Sequence, residues 1–265
     1  MKPDATHRRL GKTDQVGFLV GLGGITLMQL PQDAAARLGH QALDLGVNHF
    51  DVAPTYGDAQ AKMGPVVGER RREIFLACKT EARDAKAART ELKESLRLLQ
   101  TDHLDLYQLH GLDTEEELDQ VAAKGGAWEV FLEARRAGLV RYLGVTGHYP
   151  ATHLKTIERL ELDTVMAPLN FRTCDLMCGK GGLIERARAR GLGVIAIKAT
   201  TRGEIKPTSD AYRFTLSQDV DLTIPAGKEF LAACEIAKNF KPMSHEEQAA
   251  FLEHCRKNYD PNRKY

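Results

Sequence analysis

The sequence lacks an excess of either charge. Its 37 Lys and Arg face 36 Asp and Glu, a formal net charge of +1. That excludes a basic nucleic-acid glove and an acidic solvated chain as readings of the whole protein, so no nucleic-acid partner is expected. It lacks any apolar run near the roughly 18 residues of a membrane helix, so no membrane partner is expected either. Met1 to Arg9 carry no apolar block of the kind that opens a secretion signal. Cysteine is scarce and odd in number, 5 in 265 residues, which suits reduced thiols and a cytoplasmic location. Cys174 and Cys178 stand in a C-x3-C spacing, with Cys234 and Cys255 far off. With no C-x2-C-x2-C run and no second tight pair, neither an iron–sulfur cluster nor a zinc site is expected. No proline-rich linker, charge block or low-complexity stretch divides the chain.

What is present is an alternation. Short apolar runs, most of them with β-branched residues, occur at Gly17–Leu22, Val47–Val52, Ile74–Cys78, Leu104–Leu109, Val140–Val145, Thr164–Leu169, Gly193–Ile197 and Val220–Ile224. Bounded by Gly, Asp or Pro, they read as buried parallel strands. Amphipathic stretches lie between them. Ala34–Leu45 stops at Gly46, Ala85–Leu99 puts Leu92, Leu96 and Leu99 on one face behind Asp84, and Trp128–Ala137 stops at Gly138. Eight strand–helix alternations predict a closed (β/α)8 TIM barrel of the α/β class. The barrel is expected over residues 1–240 as one domain. A short polar, partly helical tail over 241–265 is expected to pack on or beside it. Gly21-Leu22-Gly23-Gly24 lacks the G-x-G-x-x-G spacing of a dinucleotide fingerprint and reads as a turn at a strand top.

In such a barrel the reactive groups gather at the carboxyl ends of the strands. Polar or ionisable residues stand at six consecutive strand ends: Asp51 with Tyr56 close behind, Lys79, His110, Thr146 with His148, Asn170, and Lys198. Asp51, Tyr56, Lys79 and His110 make chemical sense together. A free phenol has a pKa near 10, and a buried ammonium beside it favours the phenolate, so Lys79 is expected to acidify Tyr56. Asp51 supplies the counter-ion, and a neutral His110 donates to a carbonyl oxygen. The set suits protonation of an oxygen that is gaining charge, while a hydride would have to come from a nicotinamide cofactor. Cys78, next to Lys79 on an alternating strand, is expected to face the other way as a small core residue.

The segments that carry these residues resemble a known family, the aldo-keto reductases. They are Leu45-Gly46-Val47-Asn48-His49-Phe50-Asp51, Tyr56-Gly57, Phe75-Leu76-Ala77-Cys78-Lys79-Thr80, Asp105-Leu106-Tyr107-Gln108-Leu109-His110 and Gly138-Leu139-Val140-Arg141-Tyr142-Leu143-Gly144-Val145. The nearest-looking branch is the short-loop one that includes iron–sulfur-associated members, here without the cluster cysteines. The resemblance implies that Tyr56 is the general acid, that Lys79 and Asp51 tune it, and that His110 orients a small-molecule carbonyl substrate. It implies reduction of an aldehyde or ketone with NADP, or with NAD, or the reverse reaction. On the cofactor side the family's Ser-Asn after the fifth strand reads Thr146-Gly147, followed by His148. Its glutamine on the sixth strand reads Met166, four residues before Asn170, and its Glu-Asn pair after the eighth strand has no counterpart. Ile224-Pro225-Ala226-Gly227-Lys228 resembles the family's Ile-Pro-Gly turn. Thr146, His148, Asn170, Lys198, Arg202 and Lys228 are the expected cofactor contacts, the basic ones through phosphate. Two rival readings keep the scaffold: a non-redox lyase or isomerase with altered cofactor use, motivated by the changed cofactor positions, and a regulatory protein that senses nicotinamide.

Overall fold

The structure is a computed structural model that describes residues 6–225 and 227–263. Met1–Ala5 of the leader expectation, Ala226 of the Ile-Pro turn, and Lys264 and Tyr265 of the tail lie outside the described residues. An antiparallel hairpin, β1 (His7–Arg9) and β2 (Val16–Phe18), precedes eight parallel strands. These are β3 (Leu22–Gly23), β4 (His49–Asp51), β5 (Phe75–Thr80), β6 (Leu104–Leu109), β7 (Val140–Thr146), β8 (Thr164–Pro168), β9 (Gly193–Ile197) and β10 (Leu222–Ile224). They pair in sequence order. A parallel bridge between Val20 and Thr223 closes the ring, with Gly21 N–H donating to Thr223 O at 3.0 Å and Thr223 N–H to Leu19 O at 2.9 Å. This is the expected (β/α)8 barrel.

The helices are α1 (Gln32–Asp44), α2 (Ala59–Arg70), α3 (Ala85–Leu98), α4 (Glu115–Ala122), α5 (Ala127–Arg136), α6 (Pro150–Arg159), α7 (Cys174–Cys178), α8 (Leu183–Ala189), α9 (Thr208–Ser217), α10 (Phe230–Lys238) and α11 (His245–Asn258). Asp84 caps α3 by accepting the Ala87 N–H at 2.9 Å. Gly46 and Gly138, with φ of 89° and 75°, end α1 and α5 in the left-handed conformation that costs glycine little. Among the described residues no helix is long and apolar enough to cross a membrane.

The first apolar run departs from expectation. It does not form one strand: Val16–Phe18 pairs with β1 beneath the barrel, and only Leu22–Gly23 joins β4. The hairpin carries Leu10 into the barrel, where it is buried with Phe75, Leu106, Met166, Ile195 and Leu222. That plug turns the barrel's lower half into a packed core, with the carboxyl ends of the strands at the opposite end. Cys78 lies in the apolar layer between strands and helices, and Lys79 faces inward. Beyond α10, α11 opens with a capping box in which Ser244 accepts from Glu247 N–H and the Glu247 carboxylate from Ser244 N–H. Its Phe251 and Cys255 are buried against Phe171, Cys174, Ile205 and Phe214.

Candidate active site

Strand register builds the acid–base group. Asp51 pairs with Ala77, Lys79 with Gln108, and Gln108 with Gly144. The stagger of tilted strands therefore lets successive strand ends climb around one mouth. Asp51 and Lys79 are 3% and 1% exposed, and they form a direct ion pair. Gln108 Nε2 donates to the other carboxylate oxygen of Asp51 at 2.9 Å. Gly144 makes the room, since a Cβ there would lie 2.4 Å from Thr164 Oγ1 and 3.0 Å from Gln108 Cγ. Tyr56 comes from the loop after β4 and turns back through its N–H bond to Ala53 O at 3.1 Å. Its hydroxyl sits 3.5 Å from Lys79 Nζ, which also lies 4.9 Å from the phenol ring centre. His110, just past β6, meets the Tyr56 ring edge-on with centroids 5.6 Å apart. Its Nδ1 is 3.4 Å from Thr55 Oγ1 and 3.2 Å from Glu81 Oε1. Arg83 fixes this loop by donating to the carbonyl oxygens of His110 and Gly111, both at 2.9 Å.

The electrostatics correct one expectation. Burial raises the Tyr56 pKa, and the lowering by Lys79 does not overcome it because Asp51 opposes the ammonium. The phenol is therefore less acidic than a free tyrosine. The ammonium is already matched by a carboxylate in direct contact and stands at the limit of hydrogen-bond distance from the phenol oxygen. Burial disfavours the Lys79 charge too, yet Asp51 and Tyr56 outweigh it and Lys79 is held above its ordinary value. Burial, Lys79 and His148 push His110 down to about 3, so the imidazole is neutral at pH 7.

Two neighbouring spaces lie at this mouth. The smaller, about 110 Å³, has Tyr56, His110, Thr146, His148 and Lys198 among its walls, over a floor of Met166 and Ile224. The larger, about 670 Å³, shares Ile25 and Lys198 with it and runs outward past Arg202, Lys228 and Glu229. Lys198, Thr201 and Arg202 all adopt left-handed φ angles of 50–64°, unusual for residues with side chains, in this one loop after β9. Thr146, His148, Lys198, Arg202 and Lys228 thus line one or the other of these two spaces. Asn170 does not. It is buried, its Nδ2 donates to Lys198 O at 3.0 Å, and its Oδ1 accepts the Arg172 N–H at 2.9 Å. This amide braces the loops after β8 and β9, which corrects its expected role as a direct contact.

Sequence reasoning missed several residues here. Glu229 Oε2 accepts from both Thr200 Oγ1 and Tyr212 OH at 2.8 Å, tying the two walls of the larger cleft together. Asp113 grips His148. Gln108 was within reach, because it alternates inward on β6 two residues before His110.

Fold and site together define a parallel α/β barrel with a buried Asp–Lys pair, a phenol and an imidazole at its carboxyl mouth, beside a cleft of about 670 Å³. The chain belongs to the aldo/keto reductase family, whose model matches residues 19–240. It is 31% identical over 173 residues to the uncharacterized oxidoreductase YqkF of Bacillus subtilis, covering 60% of this chain and 54% of that protein. It is 30% identical over 132 residues to the methylglyoxal reductase DkgA of Salmonella typhimurium, covering 49% and 45%. The chain spans about half the length of the curated relatives it matches. Among solved structures, an aldo-keto reductase from Bacillus halodurans in its holo form superposes with a TM-score of 0.78 over 94% of this chain and 95% of that one. At 23% identity that likeness is one of fold.

Proposed function

We propose that the protein is an oxidoreductase that reduces the carbonyl group of a small aldehyde or ketone with a nicotinamide dinucleotide, NADP in preference to NAD. The observation that carries this reading is the Asp51–Lys79–Tyr56–His110 group, three of whose members line a small pocket that shares Ile25 and Lys198 with a neighbouring cleft of about 670 Å³ lined also by Arg202 and Lys228. Volume, basic flanks and nearness to the phenol suit a dinucleotide. Family membership and kinship with a protein named as a methylglyoxal reductase support a carbonyl substrate.

A bound reduced nicotinamide supplies the hydride. The chain's own residues handle the oxygen. Tyr56 keeps its proton at neutral pH, as an ordinary phenol does, and burial moves its pKa further up, which makes it a donor ready for an oxygen that gains negative charge. As the proton leaves, the phenolate forms beside Lys79, whose charge is locked by Asp51. That electrostatic support is larger for the phenolate than for the phenol, so it lowers the barrier rather than merely binding substrate. His110 is neutral. Its Nδ1 faces both Thr55 Oγ1 and Glu81 Oε1, and it is the Nε2–H tautomer, with Thr55 donating to Nδ1, that would offer a proton to the same oxygen. Ile25, Ile197 and Ile224 line the pocket and limit water. Thr146 and His148 would hold the nicotinamide end, while Lys198, Arg202 and Lys228 would meet phosphate. The preference for NADP rests on Arg202 and Lys228 at the outer cleft.

Tyr56→Phe tests the reading. It should lower kcat by about 10²–10⁴ on a broad aldehyde panel while NADPH fluorescence titrations stay within about twofold of wild type. Wild-type protein that fails to bind NADPH at high micromolar concentration, or a Tyr56→Phe variant that turns over normally, would overturn it.

A further inference from the structure

The loop after β9 walls the larger cleft with Lys198, Ala199, Thr200 and Arg202. Its course is strained. Lys198, Thr201, Arg202 and Gly203 have left-handed φ angles of 58°, 50°, 64° and 88°. A β-branched residue such as Thr201 takes that conformation only where its surroundings impose it. Thr201 is 2% exposed. Its hydroxyl donates to Thr200 O at 2.8 Å and lies 3.3 Å from Glu204 Oε2. Glu204 is in turn gripped by two guanidinium groups. Arg172 Nη2 donates to its Oε2 at 2.7 Å, and Arg263 pairs with its Oε1. The Arg172 hydrogen bond outweighs burial and, with Arg263, holds the Glu204 carboxyl below the ordinary range. The Arg172 side chain is 6% exposed. Its Nε donates to Asp260 O at 2.8 Å, and its guanidinium lies 5.0 Å from the Phe171 ring centre. Two residues past Glu204, Lys206 N–H donates to Tyr259 OH at 3.1 Å. Tyr259, Asp260 and Arg263 all follow α11, in the stretch beyond residue 240 where the family match ends. Helix α11 is itself fastened, by Arg256 on Asp175 at 3.0 Å and by Phe251 and Cys255 in the cluster that holds Phe171 and Ile205.

We propose that Glu204 is a positioning residue for dinucleotide binding: clasped between Arg172 and the tail's Arg263, it holds the loop after β9 in the strained course that places Lys198 and Arg202 on the cleft wall. The proposal rests on the cofactor reading above. A loop that adopts its binding-competent course only part of the time binds with a Kd raised by the reciprocal of that fraction. Ordering it during folding removes that cost from the binding step. A carboxylate between two guanidinium groups suits the task, because charge-assisted hydrogen bonds are short and directional. The Arg172 side of the clasp is buried, so salt screens it little. Glu229 holds the same loop through Thr200 Oγ1 at 2.8 Å. Glu229 and Glu204 thus pin the strained residues from two sides, and the second pin joins them to the tail.

The test combines NADPH fluorescence titration, steady-state kinetics on the aldehyde panel and urea unfolding. Glu204→Ala should raise the Kd and KM for NADPH about tenfold, as for a loop that is competent about a tenth of the time. Its kcat at saturating NADPH should stay within about twofold of wild type. Glu204→Gln keeps an acceptor for Arg172 but loses the charge, so its Kd should fall between the two. Arg263→Ala alters an exposed side chain of the tail. It should raise the Kd about threefold, and it carries the test if the Glu204 variants fail to fold. Urea unfolding separates positioning from stability, since a merely structural clasp lowers the midpoint and leaves the Kd of the folded protein unchanged. Folded variants that keep the wild-type Kd, or that lose kcat in place of affinity, overturn the proposal and leave the cofactor reading standing. A wild type that does not bind NADPH at high micromolar concentration overturns both.

Discussion

The Lys79–Asp51 pair gives the sharpest quantitative prediction. Lys79→Met keeps most of the side-chain volume and removes the charge. Asp51, 3% exposed, then retains only the Gln108 amide at 2.9 Å. Breaking a buried ion pair from one side costs about 3–5 kcal/mol. The carboxylate has an escape that bounds the loss: an ordinary aspartate takes up a proton at pH 7 at a cost of about 4 kcal/mol. The expected deficit is therefore about 3–4 kcal/mol at pH 7. Its pH dependence follows from the sign. A carboxyl that is harder to ionise folded than unfolded penalises the fold above its unfolded pKa, and the penalty disappears as pH falls. The deficit relative to wild type should shrink by about 2 kcal/mol between pH 7 and pH 5.5. The double variant Lys79→Met/Asp51→Asn leaves no stranded charge, so it should recover most of the stability and none of the turnover. Urea unfolding of wild type and both variants at the two pH values measures this. A Lys79→Met deficit under about 1 kcal/mol, or one that is equal at both pH values, refutes the reasoning.

Three further perturbations follow from the same structure. His49 and His153 are fully buried, their ring nitrogens have no hydrogen-bond partner among the described residues, and burial holds both at about 4. The unfolded chain takes up protons below about pH 6.5 that the fold refuses, so each removes about 1.4 kcal/mol of stability per pH unit between there and about pH 4. His49→Phe should flatten that slope, and an unchanged slope in urea melts across this range would dispose of the assignment. Gly147→Ala forces a methyl group against Asp113, His153 and Leu112. It should cost about 1–3 kcal/mol and weaken dinucleotide binding together with stability, whereas an unaltered urea midpoint would show that the close approach is not real. Arg202→Ala and Lys228→Ala should each weaken NADPH binding by about tenfold at low salt and less at high salt. Equal losses at both salt concentrations would remove them from the phosphate contacts.

The grouping of Asp51, Lys79, Tyr56 and His110 was legible because a parallel barrel turns position along the chain into position in space. Asp51, Lys79 and His110 each end or follow an apolar run, so their shared location required only the fold. The same residue type at the start of a strand does different work. Asp105, Asp163 and Asp221 accept the N–H groups of Leu76, Leu143 and Val194 on the preceding strands, at 2.8–2.9 Å, and Asp105 and Asp221 are bridged to Arg71 and Arg188. The signal was available in their placement, since each stands at the amino end of β6, β8 or β10. The cofactor half was less legible. Asn170 ends a strand as Lys198 does, but a short amide serves a loop brace and a ligand equally well, and only the contacts of its two polar atoms distinguish the roles. Asp113 and Glu229 lie in loops with no periodicity, and their partners stand 35 and 17 or more residues away in sequence. The acidity of Tyr56 shows the limit most clearly. The sequence names the ammonium that ought to lower its pKa. Whether that ammonium outweighs burial depends on Lys79 touching Asp51 while standing 3.5 Å from the phenol. Partners follow from topology, whereas the sign of a pKa shift follows from ångströms, so the direction in which the Tyr56 pKa moves belongs to the packed structure.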